Sequence, residues 1–110
     1  VKYHIPIYSC GWFYTVRSAA AFDRKAAIVL TPPRRADPCA LGACGWSNAP
    51  DLRIVAGVWA PPCDRTAVIA HEATHAAQAV ALYVGMDYIL ETEGFAYIVQ
   101  WFASKLEKDC

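Results

Sequence analysis

The spacing of apolar positions changes along the chain, and each change predicts an element. Tyr3, Ile5 and Ile7 alternate with other residues, and Trp12, Phe13, Tyr14, Thr15 and Val16 are strong strand formers, so residues 3–17 read as extended chain. Pro6 puts the first few residues at a sheet edge, and Cys10-Gly11 marks a bulge or tight turn. Residues 18–25 predict a short helix with Ser18 as its N-cap. The brief apolar run from Ala26 to Thr31, stopped by Pro32-Pro33, predicts a buried strand. In 52–60, Leu52, Ile54, Ala56, Val58 and Ala60 alternate with Arg53, Val55, Gly57 and Trp59. Both faces are apolar except at Arg53, as in a strand packed on one side by helices, and Pro61-Pro62 ends it.

Beyond the prolines the period lengthens. Asp64 is the expected N-cap of a helix over about 65–84, which Gly85 closes. This segment is rich in alanine, the best helix former and small enough to let a sheet or second helix come close. A second long helix is expected at roughly 90–107, with Thr92 as an alternative cap and Leu90, Phe95, Ala96, Ile98, Val99, Phe102 and Leu106 as apolar positions. Lys105, Glu107, Lys108 and Asp109 give it a solvated end. Residues 32–50 carry four prolines, two glycines and no clear period, which predicts a long loop, either covering one rim of a cleft or inserted there. The expected fold is a single small α+β domain over 1–110, with about three strands and two long helices.

Composition adjusts this picture in a few places. The chain has 110 residues, enough for one modest core. Ten basic and ten acidic residues leave a formal net charge of zero, which argues against a nucleic-acid or anionic-lipid partner. The hydrophobic fraction is 56%, and four Trp with six Tyr point to some apolar surface that meets a protein partner. No run of about eighteen apolar residues occurs, so no membrane span is expected, and no leader pattern opens the chain, which points to the cytoplasm. The five cysteines form no C-x-x-C knuckle. They read as small buried thiols with one exposed near the end, in a reducing compartment.

Chemistry concentrates at His71-Glu72-Ala73-Thr74-His75. Helical residues four apart stack on one face, so the two imidazoles converge and can take two corners of a zinc tetrahedron. Glu72 sits beside them, placed to act on a water without being a ligand. Flanked by Ile69, Ala70, Ala76 and Ala77, two unpaired imidazoles would be costly, which favours a metal, and zinc in particular. Asp51, Asp64, Gln78 and Gln100 are candidates to hold the outer imidazole nitrogens. Asp87, Glu91 and Glu93 compete for the third ligand position. Asp87 follows His75 too closely for the chain to have turned, and Glu91 and Glu93, two apart on a helix, cannot both face one ion. Glu93 is preferred, because 18 residues separate it from His75 and small Ala96 permits close helix packing; Glu91 stays open on geometry alone.

These residues resemble the gluzincin group of zinc metallopeptidases, in which an H-E-x-x-H helix is followed by a helix supplying a glutamate in an N-E-x-x-S-D or E-x-x-A type motif. Thr92-Glu93-Gly94-Phe95-Ala96-Tyr97 fits with Glu93 as ligand. In more detail the chain is similar to small zinc-peptidase-like proteins encoded by bacteriophages and prophages, through Val58-Trp59-Ala60-Pro61, His71 to Ala76 and Glu93 to Tyr97. The correspondence covers roughly 52–104; earlier residues match only in general layout. The resemblance implies a zincin-like domain with Glu72 as general base and proton shuttle, and with the 52–60 strand as the cleft edge that pairs with an extended peptide. The helical subdomain that supplies a transition-state donor in larger gluzincins has no counterpart in these 110 residues. Tyr97, one turn beyond Glu93, is then the candidate catalytic donor to the carbonyl oxygen, and Tyr88 a second, although aromatics at helical spacing also serve as packing.

The leading expectation is zinc-dependent peptide-bond hydrolysis on a peptide or protein substrate. The alternative is a phage-type structural or assembly protein that keeps zinc as a staple without turnover. A staple has no need of a base beside His71, and Glu72 is present. A zinc-sensing or toxin-type binding module comes third and a nucleic-acid role last.

Overall fold

The computed structural model describes residues 1–6, 8–48 and 50–110, so Ile7 of the amino-terminal alternation lies outside the described residues. In chain order the elements are β1 (Lys2–His4), β2 (Gly11–Val16), α1 (Ala19–Val29), β3 (Gly42–Ser47), β4 (Leu52–Val58), α2 (Pro62–Val84) and α3 (Thr92–Asp109). The strands form one mixed sheet in the order β1-β2-β4-β3. β2 and β4 run parallel, while β1 and β3 pair antiparallel with their neighbours. This is a small α+β domain with four described strands where the sequence predicts about three.

Alternation along the strands sorts side chains onto two faces. Phe13, Leu52, Ile54, Ala56 and Val58 meet Ile69, Ala73, Ala76, Ala77 and Val80 of α2 and Ile98, Phe102 and Leu106 of α3. The Phe13 and Phe102 rings pack edge to face at 4.7 Å. Val16 and Val55 point the other way, onto Phe22, Ala26, Val29 and Leu30. β4 is therefore covered on both faces, and α2 uses alanines where it approaches the sheet. Each large side chain buried here contributes about 1.5–3 kcal/mol.

Local signals explain where the elements begin and end. Ser18 caps α1, its hydroxyl accepting from Ala21 N at 3.1 Å. Gly85 ends α2 with φ 74°, a left-handed conformation natural for glycine. Pro61 rather than Asp64 is the N-cap of α2. Pro62 takes the first helical position, which needs no N–H, and Asp64 lies in the first turn where its charge suits the helix dipole.

Four other expectations are corrected. Residues 26–29 continue α1 instead of forming a strand. Phe22, Ala26 and Val29 recur at helical spacing toward the sheet, while Ile28 is 76% exposed. Residues 42–47, inside the predicted loop, pair with β4 as a strand. β4 is an interior strand and its backbone is committed to β2 and β3, so the sheet edges are β1 and β3. Asp109 is buried, not solvated: Tyr3 Oη and Thr15 Oγ1 each donate to Oδ2 at 2.7 Å, and Arg17 Nε donates to its carbonyl at 2.6 Å. The five cysteines are free thiols, with Cys10 buried, Cys44 and Cys110 half-buried, and both Cys39 and Cys63 exposed.

Candidate metal centre

One uninterrupted stretch of α2 holds the three residues that could bind a metal ion. Four residues make just over one helical turn, which brings the His71 and His75 rings to a centroid distance of 4.7 Å, 78° apart in plane. Their Nε2 atoms lie 3.1 Å from each other. Two imidazole nitrogens bound to one tetrahedral zinc stand about 3.4 Å apart, so the pair is already close to ligating separation. Gln78, three residues on, places Oε1 at 3.2 Å from His75 Nδ1. An amide oxygen only accepts, so in this bond His75 Nδ1 is the donor, the arrangement in which a neutral His75 has its Nε2 lone pair free for a metal. Of the four candidates, Gln78 is the one within hydrogen-bond reach of an imidazole nitrogen. Asp51 instead accepts from Arg53 Nε at 2.9 Å, Asp64 lies against Cys63, and Gln100 lines the groove between α2 and α3.

Glu72 points to the sheet side of the same turn and is 6% exposed. His71, Glu72 and His75 each offer a ligand atom within 4.8 Å of the others, and they are the one such group of three or more among the described residues. Burial pushes the Glu72 carboxyl above the usual carboxylate range, while His71 and His75 pull it back. Gly42 makes the room: a Cβ there would stand 2.8 Å from the Gly57 carbonyl, 2.7 Å from Val68 Cγ1 and 3.2 Å from Glu72 Oε2. The set fits a divalent metal, with two converging imidazole nitrogens and one buried carboxylate beside them.

A hollow of about 230 Å³ opens over these three residues. Its other walls are Phe22 of α1, Gly42, Ala43 and Cys44 of β3, and Arg34, Arg35, Ala36, Asp37 and Ala40 of the connection between α1 and β3. Burial pushes the Cys44 thiol far up, the Glu72 charge adds to the shift, and Arg34 pulls against it. The connection is tied down at both ends. Asp23 Oδ1 accepts from Ala36 N at 2.7 Å, and Trp59 donates from Nε1 to the Ala40 carbonyl at 2.8 Å and from N to the Leu41 carbonyl at 2.9 Å.

The remaining predicted residues lie on or before α3. Glu93 is exposed in the first turn of α3 and is not a member of the three-residue cluster. Asp87 accepts from Ile89 N and Leu90 N, and Glu91 Oε2 accepts from Asp87 N, so these two carboxylates build the turn between α2 and α3. Tyr97 is exposed and does not line the hollow, and Tyr88 packs its ring on Phe95 at 5.1 Å. Sequence reading missed Arg34, Gly42 and Cys44 as neighbours of the histidines. The one signal for them was the aperiodic, proline-rich stretch in which they lie.

Fold and site together define a small α+β protein with a candidate divalent-metal pair on its longest helix. In comparisons with known proteins, no family model, no curated protein and no solved structure gives a significant match. Among the described residues no helix is long and apolar enough to cross a membrane.

Proposed function

We propose that the chain is a zinc-dependent peptide hydrolase of zincin-like design, with His71 and His75 as metal ligands and Glu72 as general base. The observation behind this reading is the convergence of two Nε2 atoms at 3.1 Å beside a buried carboxylate. When bound, zinc supplies Lewis acidity, polarising a carbonyl and lowering the pKa of water. The chain's own part is proton handling and position. Glu72, buried beside the two imidazoles, accepts a proton from the attacking water and returns it to the leaving amine. Gln78 keeps His75 in the tautomer a ligand needs.

The edge available to an extended peptide is β3 instead of the 52–60 strand, since β4 has neighbours on both sides while Gly42, Ala43 and Cys44 border the hollow. Glu93 as third ligand and Tyr97 as carbonyl donor rest on the gluzincin resemblance. The employment of Asp87 and Glu91 in the preceding turn favours Glu93 among the three carboxylates. Placement among phage-encoded peptidases rests on the same resemblance.

Glu72→Gln is the decisive variant. It should keep zinc content and melting temperature while hydrolysis of a random peptide library, read by terminal mass spectrometry, falls by roughly two to four decades. Equal cleavage by both proteins, or no zinc by elemental analysis, rejects the enzyme. A zinc-stapled assembly protein is the second reading. It is favoured by exposed Leu82, Tyr83, Tyr88, Ile89, Leu90 and Tyr97 around the end of α2 and the start of α3. It predicts a stoichiometric complex that survives Glu72→Gln.

A further inference from the structure

Besides Glu72 and the histidines, Arg34, Arg35 and Asp37 line the hollow and Asp23 is tied to the wall they form, and all but Arg34 are occupied or turned aside. Arg35 is 3.8 Å from Asp23 and otherwise points outward. Asp37 Oδ1 accepts from Cys39 N at 2.8 Å within its own turn. Asp23 holds Ala36 N with its other oxygen. Arg34 is the remaining one: among the described residues no carboxylate lies within ion-pairing distance of its guanidinium. Its stem is nevertheless placed. Arg34 Cδ lies 3.3 Å from the point a Cβ on Gly45 would occupy, and Phe22 Cζ and Leu30 Cδ1 crowd the same point at 3.4 and 3.1 Å. The bare backbone of Gly45 thus leaves room for the Arg34 side chain on the α1 face of β3, with Phe22 and Leu30 beside it.

The peptide carrying Arg34 is fixed as well, since Ala36 N two residues on is held by Asp23 on α1. A guanidinium cannot lose its charge near neutral pH, and its planar fork matches a carboxylate in two parallel hydrogen bonds. Left without an internal partner beside a site that handles peptides, such a group selects for a negatively charged ligand.

From this geometry we infer that Arg34 is a specificity-determining residue that binds a substrate carboxylate while the scissile bond lies over His71, Glu72 and His75. This inference rests on the hydrolase reading above. The carboxylate is either an acidic side chain next to the cleaved bond or the free carboxyl terminus of a short peptide. Both present the same two oxygens to the guanidinium, and an experiment separates them.

The zinc-loaded chain is titrated by calorimetry with two pairs of peptidic hydroxamates, which hold the metal through the hydroxamate group. One pair differs only in glutamate against glutamine, with an amidated terminus. The other differs only in a free against an amidated terminus, with neutral side chains. One acidic member should bind about 10- to 100-fold more tightly than its neutral twin, the range of a charge-assisted bidentate pair. Arg34→Ala should abolish that preference, leaving the neutral probes within about twofold of their wild-type affinity, and Arg34→Lys should restore part of it. The pair that responds identifies the source of the carboxylate. An absent preference in both pairs, or one that persists in Arg34→Ala, overturns the assignment while leaving the hydrolase standing. A chain that binds no zinc overturns both, and unchanged library cleavage in Glu72→Gln strikes only at catalysis. Arg34 is exposed, so Arg34→Ala should melt with wild type.

Discussion

At the scale of single residues, the candidate site is a problem of aiming lone pairs. An imidazole offers one lone pair when neutral, and which nitrogen carries it depends on the partner of the other. His75 is settled by Gln78, whose oxygen lies 3.2 Å from Nδ1, while His71 depends on His75 or a metal. Replacing Gln78 by leucine keeps the helix and the bulk but removes the acceptor, so the His75 proton is free to move to Nε2. Zinc affinity should fall about 10- to 100-fold, the usual cost of losing an outer hydrogen bond to a ligand. Competition against a chromogenic chelator measures this, with far-ultraviolet dichroism unchanged. Equal affinity of Gln78→Leu and wild type would mean that the helix alone orients the ring.

At the scale of elements, small residues decide how closely α2 and β3 approach. Ala73, Ala76 and Ala77 are fully buried on α2, and Gly42 faces the same helix from β3. A methyl at Gly42 meets backbone at 2.8 Å, which cannot move cheaply, and pushes on the Glu72 carboxylate. Gly42→Ala should therefore destabilise by about 1–3 kcal/mol. That lowers the melting temperature by roughly 4–8 °C per kcal/mol, and zinc binding should weaken with it. Gly94, in the first turn of α3, has only Met86 Cε at 3.8 Å from such a methyl. Gly94→Ala should stabilise by about 0.5–1 kcal/mol through helix propensity. Thermal melts of the two variants moving in the same direction would refute this account of the packing.

At the scale of the whole molecule, Asp109 ties the last turn of α3 to the first two strands. Its carboxylate receives Tyr3 and Thr15 hydroxyls, and its carbonyl receives Arg17. Burial alone would push that carboxyl up, but the two donated hydrogen bonds and the amino-terminal charge outweigh it, so the pKa is lowered in the folded chain. The unfolded chain has the higher, ordinary value and takes up its proton first as pH falls. The contribution of Asp109 is thus complete above the ordinary carboxylate value of about 4 and is lost as pH drops below it through the folded value. Asp109→Ala should cost about 2–3 kcal/mol at neutral pH, from removing the charged acceptor that the Tyr3 and Thr15 hydroxyls share. Urea melts between neutral pH and about pH 3 should show the gap between wild type and Asp109→Ala narrowing with acid. A gap that does not change with pH would show that the charge is not what Tyr3 and Thr15 stabilise.

Features carried by neighbours in the chain were legible without a fold. His71, Glu72 and His75 share a turn because the helical repeat is local, and the Ser18 cap and the Gly85 stop follow from the chemistry of one residue each. β2 and β4 announce themselves through their own β-branched and aromatic residues. What needed the tertiary structure depends on partners distant in sequence. Gly42-Ala-Cys-Gly-Trp-Ser47 has weak strand preference, and becomes β3 because β4 offers a free edge and α2 a surface of matching depth. Residues 26–29 stay helical because a sheet face built from Val16 and Val55 waits beneath Phe22, Ala26 and Val29. The approach of Arg34 to a glutamate and two histidines far along the chain, and the burial of Asp109 under Tyr3, are set by how sheet and helices stack. The sequence alone determined which residues could do chemistry. Only the stacking decided which charges face them, because a side chain's local propensity does not carry the position of a partner that folds against it from elsewhere.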